Sequence, residues 1–557
     1  MSEVRQSESG IAERRHGGRR RAVVLFAAVL ALLLPSLGTK GALATGANSP
    51  TKATRANTLV VAISHDVETL DSDFSHYPLA NEVNYNTQDQ YFIYGMKQAG
   101  GGYREEVVTK IKPKSISSWK FAKNGLSVVL HVQPGNRFCH TGNPVTAADY
   151  IYYFKRGIHT KSGYLFNIAG AFIKGWKQLG KYAFRLTFSR PSPFFFYLFR
   201  DQSQAPVDML AMQKHATKTD PWATKWKAKH DAGSGPYCVS RWAPGTEMDL
   251  TANPSYRGPG KPHFKQVVLK VIPNSSERAL LLKTGSVDIA EGLTTDEVNS
   301  LRGTSGVKIL DVPSRDQYEV GLNSKKAPFT NKLVRQALSY AVPYGTIMNS
   351  VFGGHALMPK GAVPDRGQMF DPSTWPYNYN LTKAKQLLAK AGYAKGFKFT
   401  LDITAGDAIS QNLAVALQSS LSKIGVQMTI NPQTAAIFAQ QLDNKSHQAW
   451  LEDVLWYVND PAYVGNSFYK CGALLNWTNY CNGTVDATIN KMLKDWKPSQ
   501  RAAKAKLASK MQRLINADAP TLILAEPDLQ IAMRSSVGGY VSAPDEELLY
   551  NYFTGKG

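Results

Sequence analysis

The chain has 557 residues, 43% hydrophobic and 19% charged, with four cysteines and a formal net charge of +23. That length can bury several cores, and the composition excludes a small stapled module, a disordered chain and a polytopic membrane protein. The 65 Lys and Arg are spread without a dense run, which describes a solvated basic surface rather than a stripe for nucleic acid, anionic envelope polymer or lipid headgroups.

At the N-terminus RRHGGRRR precedes the apolar run Ala22 to Leu34. The run is short for a bilayer span and suits the h-region of a signal peptide, with an uncleaved N-terminal anchor as the alternative. Ala42-Leu43-Ala44 is a small-x-small site, so residues 1–44 are expected to be a leader cleaved after Ala44. Arg19, Arg20 and Arg21 also suggest a twin-arginine signal, but their surroundings match it poorly. The mature chain would keep a charge of +19, because the leader removes seven basic and three acidic residues. No Cys lies near the cleavage site, so lipid attachment at a processed N-terminus is excluded. The mature protein is expected to be exported, to the periplasm, cell wall or extracellular face of the membrane.

Residues 45–56 read as a flexible leader, and the ordered body begins near Thr58. TLVVAIS reads as a buried strand, LSVVLHV at 126–132 as a second and KQVVLKVIP at 265–273 as a third. In NKLVRQALSYAV the apolar residues Leu333, Val334, Ala337, Leu338, Ala341 and Val342 recur at helical spacing. LTKAKQLLAKAGY repeats that logic through Ala384, Leu387, Leu388 and Ala391, with Gly392 as the stop. FKFTLDIT alternates as a half-buried strand, a helix carrying Leu413, Leu417, Leu421 and Ile424 follows to Gly425, and VQMTI supplies another strand. Strand, helix and strand joined this closely imply a parallel crossover. A helix at about 433–442 and the strand QAWLEDVL come next, so WYVNDP begins at a strand's carboxyl end, where open α/β sheets place ligands.

The cysteines are Cys139, Cys238, Cys471 and Cys481. In an oxidising compartment the ten-residue separation predicts a Cys471–Cys481 disulfide, and the pairing of Cys139 with Cys238 stays open. There is no HExxH or paired CxxC, so no metal site is expected, and no cofactor motif stands out. There is no GxSxG, and the 11 His form no constellation with Ser or Cys, which leaves a secreted hydrolase unsupported.

Several segments together resemble the extracellular solute-binding proteins of family 5, the dipeptide, oligopeptide and nickel receptors of ABC importers. They are SWKFAKNGLSVVLHVQPGNRFCHTGNPVTAADYIYYFKR (118–156), GSGPYCVSRW (233–242), LTANPSYRG (250–258), LLKTGSVDIAEG (281–292), VRQALSYAV (334–342), YNLTKAKQLLAKAGYAKGF (379–397) and the late NDP turn. The resemblance implies an α/β, two-lobed type II periplasmic-binding-protein fold with an extra subdomain in the first lobe. Lobe I would span 57–315 with the subdomain at about 91–215, lobe II 316–499, and 500–557 would return to lobe I. It implies a receptor rather than an enzyme, one that closes on a peptide-like or other polar solute and delivers it to the membrane permease of an ABC importer. A monomer with no specific nucleic-acid partner is expected, and the competing function is a secreted polyanion binder.

Within the motifs, Gly233, Gly235 and Pro236 are expected to shape a tight turn through backbone freedom, and Asn143, Pro144, Thr146 and Asp149 a turn and helix cap. Peptide receptors of the family anchor the ligand's α-amine on a carboxylate about three residues before the loop's Pro; here that place is Val458. An ammonium without a fixed anion costs several kcal/mol to desolvate, so free-amine peptides fit this loop poorly. Asp460, Asp453 or Glu452 would have to supply the charge from another geometry. The candidate ligand-binding residues are Trp456, Tyr457, Asn459 and Asp460 on the loop, with Gln317 and Tyr318 where the chain would cross between lobes. Neighbours in an extended segment face opposite ways, so one of Trp456 and Tyr457 is expected to line the cleft and the other to support it.

Overall fold

The amphipathic stripes become buried faces. Helix Lys332–Tyr340 turns Val334, Ala337 and Leu338 inward, and helix Leu381–Lys390 does so with Ala384, Leu387 and Leu388. Gly392 follows the second helix with φ of 86°, a left-handed conformation that costs glycine little. Thr146 and Asp149 form a capping box at the start of helix Ala147–Thr160. The computed structural model describes residues 56–555 apart from 76–77, 162–171, 192–193, 201–204, 457, 459, 495–500 and 545. The expected leader at 1–44 and all but the last residue of 45–56 lie outside the described residues.

One twisted sheet runs through the protein, and the 14-residue strand Thr521–Arg534 stands in its middle. On one side come Asp316–Leu322, Ala449–Leu455, Lys398–Thr404 and Gln427–Gln433. The last two are parallel, as the strand-helix-strand reading requires, and Lys398–Thr404 is parallel to Ala449–Leu455 as well. On the other side come Ile289–Ala290, Thr58–Ile63, Gln266–Val271, Glu247–Ala252 and Tyr237–Ala243. Each side has its own core, one around Val320, Leu338, Leu401 and Leu417, the other around Leu59, Val61, Leu250 and Leu269. A separate four-stranded sheet, Ile116–Phe121, Ser127–Val132, Ala183–Phe188 and Ile173–Gly180, packs with helix Ala147–Thr160 in an aromatic-rich cluster. The fold is thus α/β and two-lobed, with an additional layer.

Gly233 and Gly235 are needed for a different reason than turn conformation. Neither has a positive φ; a Cβ on Gly233 would stand 2.1 Å from the Thr87 carbonyl oxygen, and one on Gly235 2.5 Å from the Thr87 carbonyl carbon. The two strips of backbone touch, and Gly235 N–H donates to Thr87 O at 2.8 Å.

Disulfides join Cys471 to Cys481 and Cys139 to Cys238, with sequence separations of 10 and 99. Loop-closure entropy assigns about 3 kcal/mol to the short loop and about 5 to the long one. Replacing Cys139 and Cys238 by Ser is therefore expected to lower the urea midpoint more than replacing Cys471 and Cys481; the reverse order would show that native-state strain outweighs loop length.

Glu319, 3% exposed in the strand Asp316–Leu322, keeps Oε2 without a hydrogen-bond partner among the described residues. Burial pushes its carboxyl up to about 8, against the Thr521 hydrogen bond that lowers it. The folded state therefore holds a proton that the unfolded chain releases above pH ~4.3. Stability from this group is intact below that value and declines as pH rises to about 8. Glu319→Gln is expected to flatten this slope, raising stability at pH 8 by on the order of 5 kcal/mol at most and changing it little at pH 4.5, read as a higher Tm at pH 8 alone.

Candidate functional site

Two chain segments cross from one lobe to the other close together. Ser314–Arg315 links Val307–Pro313 to Asp316–Leu322. Glu526–Pro527 lies where the long strand changes partner: Thr521 to Ala525 pair with Asp316–Leu322, and Asp528 to Arg534 pair with Val307–Pro313. Arg366 spans both crossings, donating to Ser314 O at 2.9 Å and to Asp528 Oδ1 at 2.7 Å. Glu526 is 1% exposed and accepts from Asp365 N–H and the Gln317 side chain, both at 2.8 Å. Burial pushes Glu526 up to about 7.

Beside these crossings lies a cavity of about 780 Å³. Glu82, Glu291 and Leu293 wall it from the first lobe, Asp316 and Tyr318 from the crossing strand, and Phe438, Glu452, Asp453, Phe468 and Trp477 from the second lobe; Glu546 comes from the C-terminal return. Its lining holds ten carboxyl side chains against one lysine and one histidine, the inverse of a chain with 65 basic and 42 acidic residues. Both basic groups are engaged elsewhere: Lys470 Nζ donates to Asn490 Oδ1 at 2.9 Å, and His355 Nδ1 stands 3.5 Å from Asp311.

The strand register creates the densest part of this charge. Tyr318 pairs with Asp453 across the ladder and Asp316 with Leu455, so Asp316, Tyr318 and Asp453 share a face. Burial, then the neighbouring Asp453 and Glu546, drive Asp316 well above the usual carboxylate range. Burial and then the Asp407 charge push Asp453 up to about 6, although its side chain remains exposed to the cavity. Water in the recess screens that group, so its shift counts for less as stability than that of Glu319. Burial and then Asp453 raise Glu452, and burial raises Glu546 to about 7. On the first lobe, Glu82 accepts from Leu548 N–H at 2.9 Å and from the Tyr550 hydroxyl; burial brings it to about 7 and, with Glu82 beside it, pushes Glu291 well above its usual value.

Of the six residues singled out in the sequence, Tyr318 reaches the cavity wall, its ring 5.8 Å from Phe352. Trp456 is 2% exposed, with its ring edge against Phe468 at 4.5 Å and its indole N–H donating to Gln317 Oε1 at 2.8 Å. Gln317 is fully buried and passes the chain of hydrogen bonds on to Glu526. Asp460 caps helix Pro461–Val464 through Ala462 N–H at 2.8 Å and pairs with Lys504 Nζ at 2.5 Å. Trp456, Gln317 and Asp460 thus stand behind the wall. Tyr457 and Asn459 lie outside the described residues. Val458 is 3% exposed within the apolar core. Asp316, Glu546, Glu82 and Glu291 were not singled out by the sequence; the available signal was acidic residues set inside otherwise apolar strands, as in RDQYEVGL and AWLEDVL.

A profile described as bacterial extracellular solute-binding proteins, family 5 Middle, matches residues 110–476. The chain is 27% identical over 451 residues to the probable D,D-dipeptide-binding periplasmic protein DdpA of Escherichia coli (strain K12), covering 80% of this chain and 85% of that one. It is 24% identical over 508 residues to the glutathione-binding protein GsiB of Escherichia coli O6:K15:H31, covering 88% and 93%. The periplasmic binding protein DppA from Helicobacter pylori, in complex with peptide STSA, superimposes with a TM-score of 0.81 at 23% identity, over 90% of this chain and 98% of that one. That last likeness speaks for the fold, a type II periplasmic binding protein. The profile spans well over half of the chain, and the protein belongs to the bacterial extracellular solute-binding proteins of family 5, acting as a substrate-binding receptor.

Proposed function

We propose that this receptor is exported without a lipid anchor, captures one polar solute of peptide-like size between its lobes as a monomer, and hands it to the membrane permease of an ABC importer. The observation that carries this reading is the cavity beside the two crossings, walled from both lobes and of a volume, about 780 Å³, that suits one small molecule. A solute touching Glu291 on one side and Phe438 on the other gains contacts that exist only when the lobes are close, and so favours the closed arrangement. Peptide-like size follows by analogy with the ligands in the relatives' names, a D,D-dipeptide, glutathione and the peptide STSA. Capture asks for no catalytic group. Among the described residues no helix is long and apolar enough to cross a membrane, which accords with a receptor working outside the bilayer.

Protein purified natively and the same protein stripped by unfolding and refolding are expected to differ in small-angle scattering, the stripped form having the larger radius of gyration. Identical profiles, together with no small molecule released on denaturation, would sink the capture reading.

The buried chain from Trp456 through Gln317 to Glu526 ties the loop to the crossing. Trp456→Phe leaves Gln317 Oε1 buried without its donor, which is expected to cost about 1–3 kcal/mol in urea unfolding. Solute affinity should hardly change, because the indole stands behind the wall; an affinity loss larger than the stability loss would put it on the solute.

A further inference from the structure

The cavity's charge narrows the solute it accepts. Several buried acids in the protein are matched by cations: Asp71 and Asp73 by Arg156, Glu106 by Arg200 at 2.6 Å and Asp460 by Lys504 at 2.5 Å. Asp73 and Asp528 at the cavity's edge are paired in the same way, but on the ladder between Asp316–Leu322 and Ala449–Leu455 this matching stops. Among the described residues no lysine, arginine or histidine forms an ion pair with Asp316, Glu452 or Asp453. Asp316 Oδ1 and Glu291 Oε1, on the two walls, are shielded from water yet accept no hydrogen bond. Carboxyls left in this state are stabilised by an incoming donor that carries positive charge.

Two further observations fix what that donor is. No group of three or more His, Cys, Asp or Glu among the described residues converges as a metal cage would, so an organic cation fits better than a metal ion. The basic groups lining the cavity, Lys470 and His355, are turned to Asn490 and Asp311, so a free carboxylate on the solute would meet mainly like charge. Val458 points the same way, since the loop's acid, Asp460, is taken by Lys504 while the paired strands supply Asp316 and Asp453.

We propose that the cavity takes a net-cationic organic solute, an amine or guanidine lacking a free carboxylate, whose charged group seats against Asp316 and Asp453. The inference rests on the receptor reading above. The Glu82–Glu291 pair forms a second acidic wall on the first lobe, able to give up a proton to a base, so a solute basic at both ends engages both lobes. A zwitterionic dipeptide satisfies one wall and offends the other.

The test is calorimetry on the stripped full chain with Ala-Ala, with Ala-Ala amide, which differs only in lacking the carboxylate, and with agmatine, which is basic at both ends. Mass spectrometry of solutes released from native protein accompanies it. The amide and agmatine are expected to bind about tenfold or more tightly than the dipeptide, and the released solute to be a base. Asp316→Asn and Asp453→Asn should each weaken the cationic probe by a similar factor. Glu319→Gln, on the opposite face of the strand, should not. Thermal melting checks that each variant folds, and Asp316→Ser or Asp453→Ser replaces an asparagine variant that does not. Ala-Ala binding as tightly as its amide, a neutral or acidic released solute, or full affinity in the folded asparagine variants each overturns the cation class and leaves the receptor reading standing. Silence of all three probes together with an empty native protein tells against both.

Discussion

The architecture depends on one shared strand. Thr521–Arg534 gives its first residues to the ladder with Asp316–Leu322 and its last to the ladder with Val307–Pro313, so both lobes are hydrogen-bonded to the same piece of backbone. The change of partner falls at Glu526–Pro527, and Pro527 has no N–H to add to either ladder. Motion between the lobes can then be absorbed by dihedral changes over a few bonds there and at Ser314–Arg315, while the two apolar cores stay intact. Arg366 holds the two crossings to each other through Ser314 O and Asp528, so they bend together rather than separately.

The same crossings explain where the charge collects. Asp316 follows the first crossing directly and Asp528 follows the second; Glu546 reaches the first through Arg315 N–H at 3.2 Å. Placing carboxyls here is unfavourable for the empty protein, because burial and mutual repulsion both oppose ionisation, and the raised values of Asp316, Glu452 and Glu546 are the measure of it. A structural role would have been met more cheaply by apolar side chains. Perturbed acids gathered at a cleft support the binding role proposed for it.

Much of the fold was legible because it follows from periodicity. The stripe through Val334, Ala337 and Leu338, the Gly392 stop and the parallel strands flanking Ala408–Ser422 all appear where the apolar pattern puts them. Interactions between distant segments were not legible. Gly233 and Gly235 read as turn residues because their partner, Thr87, is more than 140 positions away, and no local pattern announces a backbone touching there. The site was only partly legible for the same reason. The loop WYVND stands out by composition, yet Trp456 turns into the core to meet Gln317, while Asp316 and Asp453 become one cluster only when two strands 137 positions apart in sequence fall into register.

Moving the anion from a loop to paired strands changes what the site selects. A carboxylate on a loop can follow its ligand, whereas Asp316 and Asp453 are held by a ladder whose backbone positions are fixed on both sides. A rigid anionic wall rewards a cation at one depth and tolerates little adjustment for a neighbouring carboxylate. The buried Val458 removes the flexible alternative and adds its side chain to the apolar cluster containing Trp456 and Phe468. In the proposed reading, selectivity and closure share one framework: Asp316 directly follows the Ser314–Arg315 crossing, so a charge seated there acts beside it.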